Sequence, residues 1–126
     1  MECASRGINT DIINLLLQQP SIRLTPECLS GCKALSEITI PESITSIGPR
    51  TFYGCSSLTK VTILSQITIL DDELFSECSL LKQIEIPSSV TTIGFNCFYN
   101  CSSLAQIDLP KSLKSIGVGA FNGCSS

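Results

Sequence analysis

Apolar side chains return along this chain at one interval. Ile38, Val61, Ile84 and Ile107 lie 23 residues apart, and so do Ile40, Ile63, Ile86 and Leu109. The same step links Leu35, Leu58, Leu81 and Leu104, then Ile44, Ile67, Val90 and Leu113, then Leu24, Ile47, Leu70, Ile93 and Ile116. Phe52, Phe75, Phe98 and Phe121 form a sixth column that Leu29 begins, and Cys32, Cys55, Cys78, Cys101 and Cys124 form a seventh. Self-similarity at about 20–50 residues marks a solenoid, because a unit that cannot bury its own apolar face buries it against the next unit.

Spacing inside one unit assigns each stretch. In LSEITIP (Leu35–Pro41) the apolar Ile38 and Ile40 alternate with Glu37 and Thr39, which predicts a half-buried strand. Pro41, Pro87 and Pro110 then end the ladder, since proline has no backbone N–H to donate. ITSIG (Ile44–Gly48) predicts a second short β segment on another side of the coil. Gly48, Gly94 and Gly117 are expected at a turn with positive φ, a place that Asp71 takes in the third unit. PRTFYGC (Pro49–Cys55) is too short for a regular helix and predicts a helical or 3₁₀ turn that carries Phe52 inward.

The pattern L-x-x-I-x-I-P-x-S-[IV]-T-S-I-G-x-x-x-F-x-x-C closely resembles that of the BspA-like leucine-rich repeat family, also called the Treponema-type repeat, from about Leu24 onward. Leu64 in place of proline, Asp71 in place of glycine and Ile69 in place of a polar residue depart from it in one unit, which is expected to bend differently. The resemblance implies a repeat solenoid, a leucine-rich repeat right-handed coil with a parallel β-sheet on its concave side. It also implies a surface-associated adhesion or binding protein of bacteria or parasitic protists, with a cell-surface or extracellular setting and a protein partner such as a host extracellular-matrix or cell-surface protein.

Residues 1–126 read as a single leucine-rich repeat domain, with 1–23 a degenerate N-terminal capping repeat and 24–126 about four and a half repeats that stop in mid-repeat. Asn9, Thr10 and Asp11 offer a different N-terminus, the cap of a short helix over Ile12–Gln19. The repeat reading is preferred because Asn9, Ile12, Leu15 and Leu17 fall in register and terminal repeats are expected to be atypical.

Charge narrows the partners. Only 15% of residues are charged, the net charge is −3, and the basic residues Arg6, Arg23, Lys33, Arg50, Lys60, Lys82, Lys111 and Lys114 are scattered. Nucleic acid demands clustered positive charge, so that class is excluded. No apolar run approaches the roughly 18 residues of a membrane span. IINLLL (Ile12–Leu17) lacks a cleavage site and makes a poor secretory signal. An intracellular chain, export by another route and a piece of a longer protein all stay open.

Eight cysteines and no histidine stand in the chain. Cysteines of one column lie about 4.8 Å apart with parallel Cα–Cβ vectors, a poor geometry for disulfides, so a ladder of buried free thiols is expected. Cys28 and Cys97 share a second column with Thr51, Leu74 and Ala120, and Cys3 stands outside the repeat. Without a base or a cationic neighbour the thiols have no route to a reactive thiolate, and one Cys per repeat builds no zinc site. Asp71, Asp72, Glu73 and Glu77 lack the alternating spacing of a calcium loop. The sequon NCS (Asn100–Ser102) has its middle residue in the buried column. No cofactor or metal is implied.

The expected function is therefore a non-enzymatic protein-binding or adhesion module. Its candidate residues are the outward strand positions Glu37, Lys60, Gln83 and Gln106 and the neighbouring column Thr39, Thr62, Glu85 and Asp108. The alternative is a self-assembling structural protein that uses its solenoid ends. Leu104, Leu109, Leu113 and Ile116, with no later rung to cover them, are the expected self-association residues of a homo-oligomer.

Overall fold

Alternating Ile and polar residues do form strands. In a computed structural model, which describes residues 10–18, 24 and 26–124, β1 (Glu37–Ile40), β2 (Lys60–Ile63) and β4 (Gln83–Glu85) make one parallel sheet in that order. Each residue pairs with its equivalent one repeat on, as in Ile38 with Val61 and Val61 with Ile84. The second β segments become β3 (Ile69–Leu70), β5 (Thr92–Ile93) and β6 (Ser115–Ile116), a second parallel sheet, and Leu24 bridges Ile47 one repeat earlier. Successive repeats thus stack as the rungs of a solenoid.

Inward columns fill the space between the sheets. Leu35, Leu58, Leu81, Ile38, Val61, Ile47, Leu70 and Ile93 are all buried. Phe52, Phe75, Phe98 and Phe121 stack face to face at 5.4 Å between centroids, with interplanar angles of 3°, 14° and 6°. That distance exceeds the roughly 4.8 Å between rungs, so the rings are offset, the arrangement an aromatic quadrupole prefers.

The stretch around each Phe is a turn with its own ladder, and the expected helical or 3₁₀ segment is limited to i+3 turn bonds such as Tyr53 N–H to Arg50 C=O. The N–H groups of Arg50, Phe52 and Gly54 donate to the carbonyls of Asp72, Leu74 and Ser76 on the next rung, at 2.9–3.1 Å. Aligning these donors takes positive φ at two columns: Glu27, Arg50, Glu73, Asn96 and Gly119, then Gly31, Gly54, Glu77, Asn100 and Gly123.

The glycine column of the sequence sits elsewhere and has a different cause. Gly48, Gly94 and Gly117 are outside the positive-φ set, as is Asp71. A Cβ on Gly48 would lie 2.5 Å from the backbone nitrogen of Pro26, and one on Gly117 would lie 2.6 Å from the backbone of Gly94 and Phe95. Close approach of rungs, rather than a left-handed turn, selects glycine there.

Hydroxyls seal the sides of the coil. Thr59 and Thr91 Oγ1 donate to the carbonyls of Ser36 and Thr68, and Ser89 and Ser112 Oγ donate to those of Ile67 and Val90. Such pairing lets Ser and Thr replace charge on much of the surface. In the irregular unit Leu64 supplies the N–H that proline lacks and bonds Ile40 C=O at 2.8 Å, while its side chain and that of Ile69 are exposed and Ser65 is buried.

The N-terminal stretch contains a helix, α1 (Thr10–Leu16); Leu17 is buried as its register requires, but Leu15 is 68% exposed. Asn14 on α1 donates through Nδ2 to Glu37 C=O and accepts through Oδ1 from Thr39 N–H. One side-chain amide thereby satisfies the outer edge of β1, which would otherwise invite pairing.

Truncation of the ring spine should be costly: Phe75→Ala is expected to lose about 3–5 kcal/mol, against roughly 0.5 kcal/mol or less for the exposed Lys60→Ala, as read from denaturant melts. Glu27→Asn should gain about 0.5–1 kcal/mol, because asparagine tolerates the left-handed backbone that Glu27 adopts at φ 60°. A loss at that position would place the strain elsewhere.

Candidate binding surface

Alternation points every second strand residue away from the core. Glu37, Lys60 and Gln83 lie side by side across the first sheet, and Thr39, Thr62 and Glu85 form the adjacent row. All are exposed except Thr62, which is half-buried. Gln106 and Asp108 are also exposed, but the stretch that carries them, 105–110, is not a strand, so the sheet ends at β4. Ile107 is half-buried there and Leu109 is 42% exposed.

A groove of about 300 Å³ opens over the last two strands and this stretch, bordered by the polar side chains of Lys60, Lys82, Gln83, Glu85, Gln106 and Asp108. Five of those six belong to the columns expected from the sequence. Lys82 does not: its column reads Ser36, Thr59, Lys82 and Ala105, so periodicity gives it no mark, and only its place one residue before β4 brings it to the rim. Glu37, Thr39 and Thr62 lie on the same face outside the groove.

The four residues expected at a self-association face are divided. Leu104 is buried and Leu113 half-buried, whereas Leu109 and Ile116 are exposed. Phe95 at 47% and Val118 at 80% exposure share another column, preceded by Asp72, and extend the apolar surface next to Ile116.

In the cysteine column Cys32, Cys55, Cys78 and Cys101 are buried and Cys124 is half-buried, and the column is polar in use. Cys55, Cys78, Cys101 and Cys124 donate through Sγ to the carbonyls of Leu29, Phe52, Phe75 and Phe98, one per rung, at 3.1–3.2 Å. Cys28, Cys55, Cys78, Cys97, Cys101 and Cys124 are free, while Cys32 is disulfide-bonded. The expected ladder of free thiols is therefore broken at Cys32, its first rung. Cys3 lies outside the described residues. Burial pushes the Cys55 and Cys101 thiols up to about 12 and holds Cys78 and Cys97 well above the ordinary value. Thiolate chemistry is disfavoured at each of them.

The acidic cluster is spent on backbone. Asp71 Oδ1 accepts from Asp72 N–H and Asp72 Oδ1 from Phe95 N–H, both at 2.8 Å, and Glu73 faces Arg50 at 3.9 Å. Among the described residues no group of His, Cys, Asp or Glu could hold a metal ion. In the sequon, Asn100 Nδ2 donates to Glu77 Oε1 in a left-handed turn, and Cys101 beside it is buried.

Parallel rungs, a repeating inward Leu-Ile-Phe set and an outward strand face define a leucine-rich repeat protein. The profile of the BspA type leucine rich repeat region matches residues 8–126 in 6 copies, and the chain belongs to that family. It is similar to the leucine-rich repeat protein of T. pallidum at 33% identity, with a TM-score of 0.77 over 82% of this chain and 48% of that one. Leucine-rich repeat proteins of Bacteroides ovatus (29% identity, TM-score 0.58) and Eubacterium ventriosum (28%, 0.63) are also similar, each over 81% of this chain and 34% of theirs. This chain thus spans about half the length of the first and about a third of the other two. No curated protein sequence matches it significantly. No helix among the described residues is long and apolar enough to cross a membrane.

Raised thiol pKa values carry a sign. Between the ordinary value of 9.0 and about 12, the unfolded chain has released protons that folded Cys55 and Cys101 retain, so folding stability falls as pH rises through that window. Urea midpoints should be flat from neutrality to about pH 8.5 and drop above pH 9, and replacing Cys55 and Cys101 by Ala should flatten the drop. An unchanged drop in that variant would contradict the assignment to these thiols.

Proposed function

We propose that this chain is a non-enzymatic protein-binding module of a surface-type leucine-rich repeat protein, and that it binds through the outward face of β1, β2 and β4. The observation that supports this most is the groove, the place where exposed side chains of the expected binding columns converge. Catalysis finds no support in buried, high-pKa thiols or in carboxylates already engaged with the backbone. Family resemblance supports an adhesive role at a cell surface or outside the cell, toward a host matrix or surface protein. The single-domain reading of 1–126 belongs to the same proposal.

Binders selected from a displayed protein library test this reading. They should lose at least about tenfold in affinity on Gln83→Arg, a factor that corresponds to about 1.4 kcal/mol, and be unaffected by Glu73→Gln on the turn side. Selected binders that respond only to turn-side changes would overturn it.

Self-assembly is the second reading, favoured by the exposed apolar side chains of Leu109, Ile116 and Val118. Sedimentation over a wide concentration range should then show a dimer that Leu109→Glu with Ile116→Glu disperses. A strict monomer throughout counts against it.

A further inference from the structure

The groove is electrically divided. Lys60 stands at the first residue of β2 and Lys82 just before β4, whereas Glu85 ends β4 and Asp108 occupies the same column one repeat on. Cations therefore form one wall and carboxylates the other, two to three residues further along the strand direction. All four side chains are exposed, and among the described residues no ion pair joins any of them to another group. Glu37 pairs in register with Lys60 across β1 and β2, but lies outside the groove and does not neutralise it. Gln83 and Gln106 continue the Lys60 column across the groove and supply both amide donors and carbonyl acceptors.

A bipolar groove of this kind selects a bipolar occupant. Strand residues advance about 3.3 Å each, so the Lys60 column and the Glu85 column are separated by roughly 6.6 Å along the strand. Side chains at positions i and i+2 of an extended peptide point to the same side and have that same separation. Neighbours at i and i+1 point to opposite sides and cannot reach both walls together. A nucleic acid or other uniform polyanion is repelled by the acidic wall, and a polycation by the lysines.

We propose that the groove takes an extended peptide segment of a partner protein with an acidic and a basic side chain two residues apart, its carboxylate at Lys60 and Lys82 and its cation at Glu85 and Asp108. This rests on the reading of the strand face as the protein-binding surface and adds the chemistry of what it binds. Affinity for such a segment is weakened by salt, since the contacts are exposed ion pairs.

The test titrates the isotope-labelled chain with two threonine-rich peptides of identical composition, one with Glu and Lys at i and i+2, the other with them at i and i+1, and reads amide shifts. The first peptide should shift residues of the groove and bind at least about fivefold more tightly than the second. Lys82→Glu and Glu85→Lys should each abolish that preference with the rest of the amide spectrum unchanged, and Glu73→Gln should leave it intact. Equal binding of both peptides in the groove, or shifts with neither, overturns the charge-pair chemistry. The display selection above decides the binding face independently, so binders that map to the groove without such a pair would refute the chemistry alone.

Discussion

Everything in this molecule follows from hydrogen bonds between a residue and its equivalent one turn of the coil away. Once Lys60, Val61, Thr62 and Ile63 pair in parallel with Glu37, Ile38, Thr39 and Ile40, each side chain is stacked on the side chain 23 positions before it. A column must then be uniform in kind: apolar where it faces inward, able to satisfy a backbone group where it is buried and polar, and free to vary only where it faces water. The Phe stack, the thiol-to-carbonyl bonds and the Ser and Thr hydroxyl bonds are three ways of meeting the same constraint.

That constraint explains why the architecture was so legible. Columns that must be uniform are visible in one sequence, and Leu35, Ile38, Phe52 and Cys55 with their equivalents announce the fold without any alignment. Positions that carry a backbone requirement are less visible when several residues can meet it. Left-handed φ falls on Glu27, Arg50, Glu73, Asn96 and Gly119 in one column, and of these only Asn96 and Gly119 advertise it. Gly48 and Gly117 are conspicuous but mark close packing of rungs instead. The helix at Thr10–Leu16 was obscured because Leu17 satisfies the repeat register while also completing the helix's buried side with Ile13.

Candidate function is harder to read for the same reason. Outward columns are under no stacking constraint, so Glu37, Lys60, Gln83 and Gln106 differ and name no ligand individually. Periodicity placed these residues on one face, but it could not show that residues 105–110 leave the sheet, nor that Lys82 joins the rim. The groove takes its character from charges two residues apart along neighbouring strands. The two ends of the first sheet contrast accordingly: Asn14 closes the edge at β1, while the edge at β4 borders the groove.

If inter-rung register is what holds the chain together, stability depends on repeat length more than on any single contact, as expected of a nearest-neighbour array. Inserting a second copy of residues 56–78 after Cys78 adds one complete rung without disturbing any column. Its denaturant midpoint should rise above that of the parent in a single transition, whereas the same insertion shortened by one residue should lower it by shifting every later column off its partner. Equal midpoints for the two insertions would contradict the account.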